Sequence, residues 1–214
     1  IDPLILEYEP ILYLHPDENY QPMNVEAFIG TSALWESDVL FDDLLVERGE
    51  VTVDDIGVNA SDEWYLSFSG DEHRSFDVDI AKETYDELVD DEQAQLTYYA
   101  HKMEDSYTDN EGIEHEFVVL QYWYFYAFND WAEHGGFNNH EGDWESVFIF
   151  LDKDTEEPMY VAYSAHHNDG DPSLNLIQYD SVRREWDSSE VTKNNNKVIS
   201  FVSLGSHANY PNNG

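Results

Sequence analysis

Apolar residues along this chain recur mostly in short runs bounded by turn formers, a pattern of strands rather than helices. The longest is Glu116 to Phe128, where Tyr122, Tyr124 and Tyr126 fall on one face of an extended chain and Trp123, Phe125 and Ala127 on the other. With both faces apolar, it predicts a strand buried on both sides, as in the middle of a packed sandwich. Before it stands Asp109-Asn110-Glu111-Gly112, a turn cluster expected to join it antiparallel to a strand over Leu96 to Met103. Further strands are read at Trp64 to Phe68, Ser146 to Leu151, Met159 to Ala165, Leu174 to Tyr179 and Lys197 to Val202. The last is preceded by an Asn194-Asn195-Asn196 turn.

Elsewhere the pattern is weaker. Leu4 to Leu14 reads as an edge strand interrupted by Pro10. Asn24 is placed to cap a short helix over Val25 to Ile29, and Thr31 with Ser32 to open another through Ala33-Leu34-Trp35. Phe41 to Asp62 is acid-rich linker around Val51-Thr52-Val53. Ser75 to Asp91 fits a longer helix or an exposed acidic loop, because Ile80, Tyr85, Leu88 and Val89 keep helical spacing only loosely. No internal repeat and no βαβ alternation is visible. Many short strands with few helices predict a mainly β fold: one antiparallel β-sandwich domain over 1–214, jelly-roll-like, with a few short peripheral helices.

Composition changes the picture at the surface. Lys and Arg total 9 against 47 Asp and Glu, a formal charge of -38, yet 41% of residues are hydrophobic and 15% aromatic, so a folded core sits inside a very acidic shell. Self-repulsion of this size destabilises a compact state in dilute buffer, whereas molar salt cuts the screening length to about 3 Å; a halophilic source is expected. Nucleic acid is excluded as a partner for want of a basic patch, and anionic membrane surfaces should repel the chain unless divalent cations bridge the two. There is no Cys, hence no disulfide or thiolate site. No stretch approaches the ~20 apolar residues of a membrane span. The start at Ile1 rather than Met suggests processing, with a removed signal peptide as one explanation. Asn59-Ala60-Ser61 is a glycosylation sequon, a pattern common by chance.

Candidate chemistry gathers at Asn138-Asn139-His140-Glu141-Gly142-Asp143-Trp144-Glu145, which leads into the Ser146 strand. In extended chain Asp143 and Glu145 share a face, with Trp144 on the other beside Ser146 and Phe148. Gly142 lets the backbone turn sharply and fold His140 back towards the carboxylates. The bland reading is that Asp, Gly and Asn are common turn residues at a strand entry. Carboxylate oxygens suit hard cations such as Ca²⁺ or Mg²⁺, and one or two imidazoles shift preference towards Mg²⁺, Mn²⁺ or Zn²⁺. Tyr160, Ala162, Ser164 and His166 share one face of their strand, so if that strand lies beside the one starting at Glu145, His166 ends near the pocket mouth. His207, in Gly205-Ser206-His207-Ala208, is a candidate supporting residue or a backbone brace. His15, His134 and His167 read as surface or supporting residues, and Tyr163 and Trp131 as core rather than sugar platform.

His140-Glu141-Gly142-Asp143-Trp144-Glu145, with Tyr163-Ser164-Ala165-His166, Gly205-Ser206-His207-Ala208-Asn209-Tyr210 and Tyr13-Leu14-His15-Pro16-Asp17-Glu18, resembles the vacuolar-protein-sorting-sixty-two-related family over most of the chain. From about Asp130 to His167 the chain is similar, more distantly, to the necrosis- and ethylene-inducing-peptide-like secreted proteins, whose signature Gly-His-Arg-His-Asp-Trp-Glu keeps its His, Asp and Glu in His140, Asp143 and Glu145. That resemblance implies a β-sandwich in which these residues, an upstream Asp matched by Asp130 and a later His matched by His166, surround a divalent cation used to bind glycosylated sphingolipid headgroups. The signature's second His is Gly142 here, which departs from the pattern that toxin-like activity accompanies.

Three functions compete. The first is a cation-holding β-sandwich that engages a polar small molecule, glycan or lipid headgroup, from a secreted or cell-surface location, with a high-salt cytoplasm as the alternative location. The second is a structural module of a larger assembly. The third is a metal-assisted hydrolase with Glu145 or Glu141 as general base; no G-x-S-x-G elbow or HExxH helix supports a known hydrolase class. The metal ligands expected are Asp130, His140, Asp143, Glu145 and His166, with Ser164 and His207 behind them. No sequence feature names a protein partner. Tyr210-Pro211-Asn212-Asn213-Gly214 reads as a loop that continues, as in a fragment of a longer chain.

Overall fold

A computed structural model describes residues 1–38, 41–57, 60–70, 77–109, 111–131, 135–136, 138–165 and 181–213. In chain order the elements are α1 (Pro3–Glu7), β1 (Ile11–Tyr13), α2 (Val25–Thr31), β2 (Ala33–Glu36), β3 (Asp43–Val46), β4 (Trp64–Ser67), α3 (Val78–Asp90), β5 (Tyr99–Thr108), β6 (Glu114–Asn129), β7 (His140–Asp152), β8 (Pro158–Ser164), β9 (Ser181–Glu185), β10 (Lys193–Asn194), β11 (Lys197–Val202) and β12 (Asn209–Tyr210). Among the described residues the chain is thus mainly β with three short helices, as its pattern predicts. By contact density it divides into two compact units. The first holds Ile1–Glu18, Tyr99–Tyr124 and Trp144–Gly214, and the second Asn19–Tyr98 and Phe125–Asp143.

The first unit carries a five-stranded sheet in the order β5-β6-β7-β8-β9, and a smaller sheet of β1, β11, β10 and β12. Pairing is antiparallel in β5–β6, β7–β8 and β8–β9, whereas β1 runs parallel to β11. Along β6 and β7 the two faces part cleanly. Leu120, Tyr122, Val147, Ile149, Leu151 and Tyr163 of one face are wholly buried, as are Val198 and Ser200 of β11. Strand β12 lies against β8, so these faces enclose a sandwich core. The opposite face gathers Phe117, Val119, Phe148, Phe150 and Ala162, with Trp123 edge-on to Phe148 at 5.2 Å. Strand β6 is therefore buried on both sides, each large side chain contributing about 1.5–3 kcal/mol.

The second unit holds a sheet in the order β3-β2-β4 with α2 and α3. Its core joins Ile29, Leu34 and Val51, and Phe28 stacks on Phe68 at 4.8 Å while meeting the edge of Phe125 at 5.0 Å. Helix α2 starts where the sequence places it, with the Asn24 side chain accepting from the N–H of Glu26 at 2.8 Å. Helix α3 is the long one. Asp77 caps it, and Ala81, Tyr85 and Leu88, one face at i, i+4 and i+7, are buried, while Ile80 and Val89 stay exposed.

Four local expectations are corrected. Residues 3–7 are helix rather than strand, because Pro3 sits in the first turn and the Asp2 carboxylate accepts from the N–H of Leu4 at 2.9 Å; the strand begins only after Pro10. Thr31 and Ser32 close a helix instead of opening one: their hydroxyls donate to the carbonyls of Ala27 and Phe28, and Ala33 to Trp35 enter β2. Asp43–Val46, inside the expected linker, is a strand because β2 offers it a partner. Leu96 forms only an isolated bridge with Met23, so β5 starts later and runs to Thr108. Leu174 to Tyr179 and Asn59 of the sequon lie outside the described residues.

Candidate functional site

Strand β7 begins at His140, so the polar run is itself strand, with a left-handed residue inside it. Gly142 has φ +68°, and a Cβ there would meet the Phe125 ring at 3.5 Å. Only glycine takes both constraints without strain. Asp130, His140, Glu141 and Asp143 belong to the second unit, Glu145 and Ser164 to the first.

In the second unit, the loop after β6 is tied back on itself. The Asn129 side-chain N–H₂ donates to the carbonyl of Asn138 at 2.9 Å and lies 2.9 Å from His140 Nε2, while the N–H of Trp131 donates to Asn139 Oδ1 at 2.7 Å. These bonds hold His140 beside Asn129, the residue next to Asp130. They also fix the imidazole tautomer. Nε2 faces a donor and must accept, so the proton sits on Nδ1, 3.2 Å from the carbonyl oxygen of Gly142. An Nδ1–H held by a backbone carbonyl is the arrangement a metal-ligating His uses, and here the Nε2 lone pair is taken up by the Asn129 N–H. The amide orientation of Asn129 is set by the Asn138 carbonyl, which leaves its Oδ1 buried without a hydrogen-bond partner among the described residues. An orphaned oxygen of this kind costs about 1–3 kcal/mol unless something else satisfies it.

Glu141 is spent differently. Its carboxylate accepts from the N–H of Phe68 at 2.7 Å and from the N–H and hydroxyl of Ser69 at 2.6 and 2.5 Å, closing the loop after β4. Asp130, Asp143 and Trp131 are half-buried.

In the first unit, Glu145 is 5% exposed. Ser164 donates its hydroxyl to Glu145 Oε2 and accepts from the N–H of Ser146 at 2.8 Å. Nearby Tyr210 has its phenol pKa raised, chiefly by burial and further by the negative charge of Glu145. His207, with φ +52°, is wholly buried, its Nε2 3.4 Å from a carboxylate oxygen of Glu18, whose side chain is 3% exposed. Glu18 also accepts from the N–H of Gly205 at 2.7 Å, so this pair closes the turn before β12. Tyr163 is core, its phenol pushed up by burial, and His15 lies at the surface beside Asp17. Strand β8 does pair with β7, Val147 opposite Tyr163, which is the adjacency the His166 expectation requires. His166 itself lies outside the described residues, as do His134 and His167.

Among the described residues, no three His, Asp or Glu side chains converge to hold a metal ion. Sequence reasoning passed over Asn129, Glu18 and Asn209, all of them polar and buried. Asn129 had a signal, as the first polar residue closing an apolar run. The other two lie inside motifs quoted for the resemblance, but their partners are far away in sequence, so no spacing pointed to their roles.

No family model matches the chain, and no curated protein does. Among solved structures it is similar to the crystal structure of necrosis and ethylene inducing protein 2 from the causal agent of cocoa's witches' broom disease. Identity is 15% and the TM-score 0.47, over 99% of this chain and 68% of that one. The vacuolar-protein-sorting-sixty-two-related resemblance finds no counterpart in these comparisons and stands on its quoted motifs alone. Among the described residues no helix is long and apolar enough to cross a membrane.

Proposed function

We propose that this chain is a divalent-cation-binding β-sandwich module that uses the cation to engage a polar, hydroxyl-bearing ligand such as a glycan or lipid headgroup. What supports the reading is the His140 tautomer: its Nδ1–H faces the Gly142 carbonyl, and its Nε2 accepts from the Asn129 amide, which would have to give up that bond for a cation to take the lone pair. Asp130 and Asp143 of the same unit would add carboxylate oxygens, and Glu145 and His166 are the further ligands that the resemblance implies. A set rich in oxygen favours Ca²⁺ or Mg²⁺, with Mn²⁺ or Zn²⁺ gaining from the imidazoles. The cation would supply a positive charge that bridges these ligands to hydroxyl oxygens of the bound molecule. Calorimetric titration of Ca²⁺, Mg²⁺ and Mn²⁺ in high-salt buffer should show saturable binding that Asp143→Asn and His140→Ala each weaken by tenfold or more. Equal heats from wild type and both variants would refute it.

The excess of 47 acids over 9 bases supports a halophilic source; a secreted or surface location, with a high-salt cytoplasm as the alternative, goes with the resemblance to secreted proteins. The thermal midpoint should then rise strongly from low to molar potassium chloride; a flat profile would remove this part of the reading.

A second reading, a structural module, is favoured by Glu141, whose carboxylate is taken up by the loop at Phe68 and Ser69. The same bonds make Glu141 a poor general base, leaving Glu145 as the base a hydrolase would use.

A further inference from the structure

Ser164 has one hydroxyl proton and two lone pairs, and every one of them is assigned in the first unit. The N–H of Ser146 donates to Ser164 Oγ at 2.8 Å, and the side-chain amide of Asn209 donates to it at 3.4 Å. With both lone pairs facing donors, the hydroxyl proton has one direction left, and it goes to Glu145 Oε2. Asn209 is itself wholly buried and cannot turn round. Its Oδ1 accepts from the Ser200 hydroxyl at 2.5 Å, and its Nδ2 also donates to the carbonyl of His207 at 3.3 Å. Reversing the amide would set its oxygen against the His207 carbonyl and against the Ser164 lone pair that its N–H now meets.

We propose that Asn209 is a positioning residue for Glu145, acting through Ser164: it locks the serine hydroxyl as a donor and so fixes which oxygen of the Glu145 carboxylate is engaged and which way the carboxylate turns. This rests on the proposed function only where Glu145 serves as a cation ligand; the orientation of the carboxylate is a property of the metal-free chain. Asn209 is brought to β8 by β12, 45 residues beyond Ser164, which is why no spacing in the sequence announces it.

The test compares wild type, Asn209→Leu, Ser164→Ala and the double variant, in high-salt buffer, with selectively ¹³C-labelled glutamate. The Glu145 carboxylate ¹³C resonance of the metal-free protein should move in Asn209→Leu and in Ser164→Ala, and the double variant should match Ser164→Ala alone. Ser164→Thr, which keeps a hydroxyl, should restore the wild-type position. Ca²⁺ affinity by calorimetry should fall by about tenfold in Asn209→Leu, with no further fall when that change is added to Ser164→Ala. Thermal unfolding separates this from general damage, because losing the Ser200 bond lowers the midpoint in either background. A Glu145 resonance unmoved in folded Asn209→Leu overturns the inference. If Asn209→Leu does not fold, an unmoved resonance in Ser164→Ala overturns it equally. Absence of Ca²⁺ binding by wild type would refute the proposed function, while the resonance still decides the role of Asn209.

Discussion

The two units differ in where their buried carboxylates and amides find their main partners. In the first, side chain meets side chain across long stretches of sequence: Glu18 with His207, and Ser164 with Glu145 and Asn209. In the second, carboxylate and amide groups tie down backbone: Glu141 holds the N–H groups of Phe68 and Ser69, and Asn129 holds the carbonyl of Asn138. A network of the first kind is costly to break because each member removed leaves a partner in a low-dielectric interior. One of the second kind localises a loop, and its loss is felt there.

The comparison can be broken most severely at Glu18. Glu18→Ala strands His207 at a fully buried position with a left-handed backbone, and should cost about 3–5 kcal/mol in urea unfolding. A loss below about 1 kcal/mol would show that the pair contributes little. Next comes Glu141→Ala, which leaves two loop N–H groups without their acceptor; about 2–3 kcal/mol is expected, with faster amide exchange confined to the loop after β4. If exchange instead rose across the whole second unit, Glu141 would be part of its core rather than a loop clamp.

The smallest effect lies at the β5–β6 turn of the first unit, where Asp109 is partnered in the open. Its pKa is lowered, chiefly by the hydrogen bond from His115 at 3.0 Å and then by the N–H of Ile113. A carboxylate with a depressed folded pKa contributes stability above its unfolded value of 3.8, and that contribution is lost as pH falls through the lower folded value. Asp109→Asn should therefore lower stability slightly at neutral pH and flatten the part of the acid limb below about pH 4. Unfolding midpoints between pH 2 and 7 check this, and an unchanged acid limb would count against the bond to His115.

Much of the architecture was legible from local pattern. The two-faced run ending at Phe128 could only be a strand buried on both sides, and Asn24 could be read as a cap because its bond reaches two residues. The errors have local causes too. Pro3 after Asp2 starts a helix while Pro10 marks only its far side, and Ser32 has the same chemistry at either end of a helix.

The sequence by itself determined the strand content, the acidic shell and the position of the candidate run, since these depend on side-chain alternation and charge count. Tertiary structure alone decided how each acid is used. Glu141 and Glu145 stand four residues apart in one strand, yet the first clamps a loop from residues 68 and 69 and the second faces a serine from β8 backed by an asparagine from β12. A carboxylate's role is set by whichever donors folding brings within about 3 Å of it, and that distance is not written in the order of residues.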